Sequence, residues 1–208
     1  MTTIQPEGNY YNKYESKNPI ERRLIQGYFS AMDAMLAAVK PVKSVFDAGC
    51  GEGLVTRHIQ TLLQPESMLA SDISQRLIQA NQAAFQSSGI QFFSGSIYDI
   101  ALPDHSAELV CACEVIEHLE EPGRAIGELF RVSGRFVFLS VPNEPVWRIA
   151  NVLRGKYVRA LGNTPGHLQH FCMNALRNQV EAFAGCEAVC LAKRAPFPWI
   201  QLLYEKVN

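Results

Sequence analysis

Residues 45–53 combine a short strand pattern, one carboxylate and three alternating glycines. Val45 and Phe46 favour a strand, Asp47 follows near its carboxyl end, and the glycines permit a tight turn that side chains would block. Residues 53–63 then carry apolar side chains at helical spacing, so the free N–H groups of a helix N-terminus point into the space above the turn. This arrangement suits a ligand with a carboxylate or ribose hydroxyls.

The spacing of the glycines separates two classes of nucleotide-binding site. They stand at Gly49, Gly51 and Gly53. A dinucleotide-binding turn has the pattern G-x-G-x-x-G, which would need a glycine where this chain has Leu54, and this counts against an NAD enzyme. Asp72 ends the next apolar run, 19 residues after Gly53, where an acid that binds two ribose hydroxyls is expected.

These motifs resemble those of the class I S-adenosylmethionine (SAM) dependent methyltransferases. In that family the first strand ends in an acid followed by G-x-G-x-G, and the second strand ends in the ribose-binding acid. The resemblance covers about residues 41–208 and implies SAM as the cofactor. It implies an α/β fold with a doubly wound, seven-stranded, mostly parallel sheet, Rossmann-like, whose last strand is antiparallel. The cofactor-binding residues implied by these two motifs are Asp47, Gly49, Cys50, Gly51, Gly53, Asp72 and Ile73.

Residues 95–110 resemble the family segment that packs on the adenine. Ser96 stands where the family usually places an Asp that accepts from the adenine amino group. A hydroxyl could accept this bond, or Asp99 could replace it from the same loop. We therefore assign the adenine contact to Ser96 and the backbone of Ile97, and we expect Tyr14, ahead of the first helix, to fold over the cofactor as aromatics there do in related proteins.

A segment that resembles the fourth family motif ends the next strand and contributes Cys113 beside the sulfonium. With His167, the ionisable groups of Glu114, Glu117 and His118 resemble the metal site of small-RNA 2′-O-methyltransferases and metal-assisted ubiquinone-pathway O-methyltransferases. The same signature is also similar to that of metal-free members, where it packs the helix on the sheet. No metal is therefore favoured, and these four residues are the ligands if one binds.

Residues 164–171 resemble a G-H-x-x-x-F/Y segment that lies over the mouth of the site. For a hydroxyl acceptor the catalytic candidates are His167, then His170 and His118, because a near-neutral pKa suits an imidazole to accept a proton. Positioning of an in-line displacement can supply roughly 7 to 11 kcal/mol. A general base adds about 3 to 5 kcal/mol. Cofactor residues are therefore more predictable than the base.

The elements that must position these residues alternate along the chain. We predict an N-terminal helical cap over 1–40 and a SAM-binding core over 41–208, with a lid-like insertion over 144–168. The other interpretation of that insertion is a helix that lies at a membrane interface or contacts RNA. Alternation with short links indicates a parallel sheet covered on both faces. Strands are predicted at 44–48, 67–72, 90–94, 107–113, 134–141, 187–193 and 199–206, and core helices at 53–63, 74–87, 122–131 and 172–183.

Composition restricts the remaining possibilities. A chain of 208 residues with 48% hydrophobic residues can bury one substantial core. The net charge of -1 makes nucleic acid an unlikely partner, and six cysteines without a C-x-x-C pair indicate reduced thiols. No apolar run resembles a signal peptide or membrane span, so we expect a cytoplasmic monomer or homodimer.

The expected function is SAM-dependent methyl transfer to a small-molecule acceptor, first of all at a hydroxyl oxygen. Carbon, nitrogen and sulfur acceptors stay open, because acceptor contacts come from irregular segments that no motif constrains. The alternatives are a metal-assisted RNA 3′-end 2′-O-methyltransferase and a non-catalytic SAM-binding module.

Overall fold

The fold was analysed in a computed structural model that describes residues 18–144, 146–153, 161, 163–164 and 166–207. The helices are α1 Pro19–Ala37, α2 Leu54–Leu63, α3 Gln75–Ala84, α4 Pro122–Val132, α5 Val146–Leu153 and α6 Met173–Phe183. The strands are β1 Ser44–Ala48, β2 Ser67–Asp72, β3 Ile90–Ser94, β4 Ala107–Cys113, β5 Ser133–Pro142, β6 Ala188–Arg194 and β7 Trp199–Lys206. A 3₁₀ turn spans Ile116–His118.

The strands form one seven-stranded sheet in the order β3-β2-β1-β4-β5-β7-β6. The pairs from β3 through β5 are parallel, whereas β7 is antiparallel to both β5 and β6. The predicted fold class is confirmed. The chain leaves β1 toward β2 on one side and reaches β4 on the other, so a crevice opens outside the carboxyl ends of these strands, where α/β proteins bind ligands.

Hydrophobic clusters cover both faces of this sheet. One cluster joins it to α1, α2 and α3, and the other joins it to α4 and α6. Strand β5 is buried along almost its whole length, as expected of a strand with helices on both sides. The core therefore holds the carboxyl ends of β1, β2 and β4 in fixed register beneath the crevice.

Helix α1 packs into the first of these clusters. Asn18 caps the helix by accepting from the Ile20 N–H, and Pro19 occupies its first turn. Tyr28 is buried against the sheet, with its hydroxyl 2.7 Å from Ser140 Oγ. The division into a cap over 1–40 and a core over 41–208 stays a prediction, and Tyr14 lies outside the described residues.

Helix α3 is shorter than predicted. Ser74 caps it through the Leu77 N–H as the sequence suggests, but the helix ends at Ala84 rather than at residue 87. A turn replaces its last residues, because both the backbone N–H and the hydroxyl of Ser88 donate to the Phe85 carbonyl. None of the helices in the described part of the chain has the length and apolar character needed to cross a membrane.

Candidate active site

The glycine turn after β1 is hydrogen-bonded to neighbouring backbone and also borders an open space. The N–H groups of Gly49 and Cys50 donate to the Ser71 carbonyl at 2.8 and 2.9 Å. Gly49 has φ +80°, and a Cβ there would lie 2.5 Å from Val115 Cγ2, so only glycine fits. At Gly51, with φ +51°, a Cβ would meet no atom within 4 Å, which leaves the backbone open to a ligand.

Asp72 is held against this turn by two backbone donors. Its Oδ2 accepts from the Gly51 N–H at 3.0 Å, and its Oδ1 accepts from the Ser74 N–H at 2.8 Å. Asn81 of α3 fixes the same turn from beneath, since its Nδ2 donates to the Gly51 carbonyl at 2.8 Å. Asn81 was not predicted as a site residue, although a polar residue one turn after buried Leu77 on the inner face of α3 is a usable signal.

Asp47 is a buried carboxyl group with one satisfied oxygen. Only 1% of the residue is exposed, and its Oδ2 accepts from Thr56 Oγ1 at 2.6 Å. Its Oδ1 is buried without a hydrogen-bond partner in the part of the chain that the structure describes. Burial raises the pKa of Asp47 to about 6, with Thr56 opposing the rise and the charge of Asp72 adding to it. A cationic ligand group would satisfy the orphaned oxygen.

A cavity of about 460 Å³ opens above these groups. The predicted cofactor residues on its wall are Asp47, Gly49, Cys50, Gly51, Asp72, Ile73, Ser96, Ile97 and Cys113. Gly53 is not one of the residues that line the cavity, and it forms the N-cap of α2. The sequence therefore located one continuous surface, and the role of each residue in holding SAM stays a prediction.

The two residues considered for the adenine contact differ in position. Ser96 is on the cavity wall, where its Oγ accepts from the Tyr98 N–H at 3.2 Å. Asp99 pairs with Ser96 in an isolated β-bridge but is exposed and is not one of the residues that line the cavity. Ser96 thus lies on the cavity wall and Asp99 does not, and the adenine contact of Ser96 stays a prediction.

Glu114 marks an unusual backbone position at the end of β4. Its φ is +63°, in the left-handed region that non-glycine residues seldom occupy. Its N–H donates to the Ser140 carbonyl at 2.9 Å, and its Oε2 accepts from Trp199 Nε1 at 2.8 Å. Surrounding bonds thus hold a strained residue on the cavity wall, which is common at functional sites.

The three histidines predicted as catalytic candidates occupy different places. His118 is on the cavity wall, with 27% of its side chain exposed. His167 is buried behind it, with ring centroids 5.0 Å apart, and is not one of the residues that line the cavity. His170 is exposed to solvent and is also outside the lining. Of the three, His118 is the one that can contact a molecule in the cavity.

Three of the four predicted metal ligands come together. Glu117, His118 and His167 each offer a ligand atom within 4.8 Å of the others. Glu114, the fourth, is not a member of this group and binds Trp199. Glu144, which the sequence analysis did not select, lies 3.6 Å from His167 through its Oε1. No periodicity or motif singles out Glu144, since it follows the last residues of β5 in an irregular segment.

The fold and this cavity define an α/β domain that binds a nucleoside-bearing cofactor above a glycine turn. Residues 46–138 match the family model described as a methyltransferase domain. These residues therefore form a methyltransferase domain, and together with the relatives named as methyltransferases the match bears out the SAM-dependent methyltransferase family and the SAM cofactor predicted from the motifs.

Two relatives of known sequence each match about half of this chain. An uncharacterised methyltransferase of Schizosaccharomyces pombe is 29% identical over 108 residues, which is 48% of this chain and 39% of that protein. A malonyl-[acyl-carrier protein] O-methyltransferase of Bacteroides thetaiotaomicron is 26% identical over 101 residues, 47% of this chain and 38% of that protein. The chain thus matches well under half the length of these relatives.

A solved structure agrees over nearly the whole chain. Magnesium protoporphyrin IX methyltransferase from Synechocystis PCC 6803, determined with bound SAH, superposes with a TM-score of 0.68. The comparison covers 94% of this chain and 91% of that one at 18% identity. At this identity the likeness establishes the fold.

Proposed function

We propose that this chain transfers the methyl group of SAM to a hydroxyl oxygen of a small-molecule acceptor. The observation that carries the proposal is that one cavity wall holds Asp47, Asp72 and the glycine turn together with the imidazole of His118. A cofactor site and a proton acceptor thus share one space. The relative named as an O-methyltransferase supports oxygen as the acceptor atom.

The residues around the glycine turn would hold the cofactor. Asp72 would bind the ribose hydroxyls, because its two oxygens are already aligned by the Gly51 and Ser74 N–H groups. Asp47 would receive a cationic group at its orphaned Oδ1. Ser96 would accept from the adenine. Bound SAM supplies an activated methyl group on a sulfonium.

His118 would take the proton that a hydroxyl acceptor loses. Its Nδ1 is 2.8 Å from the Gly166 carbonyl, and because a carbonyl only accepts, Nδ1 is the donor. The lone pair of the neutral ring is therefore on Nε2, which lies 3.9 Å from Glu117 Oε1. The buried Glu117 carboxylate would stabilise the imidazolium that forms. Orientation by one partner and charge stabilisation by another is the arrangement that a general base requires.

The predicted lid remains part of this proposal. Helix α5, residues 163–164 and residues 166–171 lie between the end of β5 and α6, and Gly166 and Leu168 contribute to the cavity wall. Residues 145, 154–160, 162 and 165 of the predicted lid are outside the described residues. Leu168 is 53% exposed, so an acceptor with an apolar body would cover it. We retain the expectation of a cytoplasmic monomer or homodimer. The metal-assisted RNA alternative is not favoured, because Glu114 is engaged by Trp199 and is not a member of the ligand group.

Transfer assays with methyl-labelled SAM test the proposal. The purified chain is incubated with a panel of phenols, hydroxy acids and alcohols, with Asp72→Ala as the matched control that keeps His118 in place. We expect labelled product from at least one hydroxyl compound, and at SAM concentrations below saturation we expect markedly less of it from the control, whose weaker SAM binding higher SAM concentrations should offset. SAM binding without transfer to any compound would instead identify a non-catalytic SAM-binding module, and transfer only to amines or thiols would overturn the oxygen assignment.

A further inference from the structure

We propose that Glu144 and His167 form a buried positioning pair that holds the His118 ring with its Nδ1 proton on the Gly166 carbonyl. The inference extends the proposed function, in which His118 accepts the proton of the substrate. Neither Glu144 nor His167 is among the residues that line the cavity, so they would act through His118 and not on the acceptor itself.

The peptide group between Gly166 and His167 is the link between the pair and His118. Its carbonyl accepts from His118 Nδ1 at 2.8 Å, and its N–H donates to the Thr164 carbonyl at 3.1 Å. Both polar ends of one peptide are thus engaged. Any rotation of this peptide would remove the acceptor that keeps the proton on Nδ1 of His118.

The side chain of His167, which belongs to that peptide, is itself held in place by Glu144. His167 Nδ1 lies 3.6 Å from Glu144 Oε1, and 5% and 4% of the two side chains are exposed. Neither oxygen of Glu144 has a hydrogen-bond partner among the described residues, so the carboxylate depends on the His167 imidazole. Separation of a buried carboxylate from its partner is strongly unfavourable. The pair therefore resists movement of His167 and of the peptide attached to it.

Further contacts anchor both ends of the segment that carries the peptide between Gly166 and His167. Leu168 and Gln169 donate their N–H groups to the Glu117 carbonyl at 2.9 Å, and Gln169 Nε2 donates to the Leu119 carbonyl at 3.1 Å. Glu144 is itself fixed by its N–H, which donates to the Phe171 carbonyl at 2.8 Å. Loss of the Gln169 side chain would remove one of these anchoring contacts and leave the contact between Glu144 and His167 in place, so Gln169→Ala provides a matched control.

Nitrogen-15 NMR of the imidazole rings tests the inference without an acceptor. Spectra of the full chain with SAH are recorded for the wild type, Glu144→Leu, Glu144→Gln and Gln169→Ala, and His118→Gln assigns the ring. We expect neutral His118 in the Nδ1–H form in the wild type and in Gln169→Ala. In Glu144→Leu we expect a mixture of the Nδ1–H and Nε2–H forms of His118. Glu144→Gln keeps an oxygen acceptor for His167, so we expect the Nδ1–H form of His118 there, as in the wild type. His167→Asn gives the same comparison if Glu144→Leu does not fold.

Kinetics form the second arm for any acceptor that the transfer assay finds. Glu144→Leu is expected to lower kcat at least about tenfold, as part of the contribution of a general base. Its SAM affinity stays unchanged.

The inference is overturned if wild-type His118 carries its proton on Nε2, if Glu144→Leu leaves the tautomer unaltered, or if Mn²⁺ broadens the His118 and His167 signals as metal ligands. Lack of an acceptor would count against the proposed function and leave the tautomer result intact.

Discussion

Asp47→Asn should stabilise the fold at neutral pH while it removes a cofactor contact. Burial raises the folded-state pKa of Asp47 to about 6 from its ordinary value of 3.8. Because one pKa unit corresponds to about 1.4 kcal/mol, holding this carboxylate ionised costs the folded state about 3 kcal/mol above pH 6. The folded chain binds the proton more tightly, so the contribution of Asp47 to stability is greatest below pH 3.8 and falls as pH rises toward 6.

Urea unfolding of the wild type and Asp47→Asn at two pH values isolates this effect. The amide can still accept from Thr56, and any penalty from its unpaired N–H group is the same at both pH values. The gain from the substitution should therefore be larger at pH 8 than at pH 4.5 by about 2 kcal/mol. Exposed Asp99→Asn serves as the control, with effects within about 0.5 kcal/mol at both pH values. Equal gains at the two pH values would refute the argument that burial disfavours the Asp47 charge.

Three further predictions concern the cofactor and the base. Wild-type SAM affinity should fall as pH drops below about 6, as protonation of Asp47 removes its charge, and calorimetry should show no such fall in Asp47→Asn. Asp72→Ala should weaken SAM binding by about 1 to 3 kcal/mol, since it removes a carboxylate that two backbone donors align; unchanged affinity would contradict its role. His118→Gln should lower kcat about 10² to 10⁴-fold with SAM affinity retained, and an undiminished kcat would remove His118 as the base.

The sequence predicted the cofactor side of the site because backbone requirements leave a local signature there. Gly49 must have a left-handed conformation against Val115, and Asp72 must end a strand beside the turn, so both positions are readable as residue type and spacing. The alternation of predicted strands and helices indicated the parallel sheet for the same reason. A strand that is buried on both faces requires a nearly continuous apolar run, which is visible in the sequence.

The catalytic side depends on contacts between distant segments, which spacing does not encode. The sequence favours His167 as the base, yet in the structure His167 is buried against Glu144, and His118 is the histidine on the cavity wall. Glu114 and Glu117 are three residues apart, a spacing that would place both side chains on one face of a helix. The left-handed backbone at Glu114 turns that side chain to Trp199, some 85 residues later in the chain. Such tertiary contacts decide which member of a motif meets the substrate.

A crystal structure of the chain with SAH tests the central claim most directly. We expect SAH in the cavity above Gly51, with its ribose hydroxyls on Asp72 and its amino group facing Asp47, while His118 stays open to the acceptor. SAH bound elsewhere, or a nicotinamide dinucleotide occupying this cavity in its place, would contradict the account.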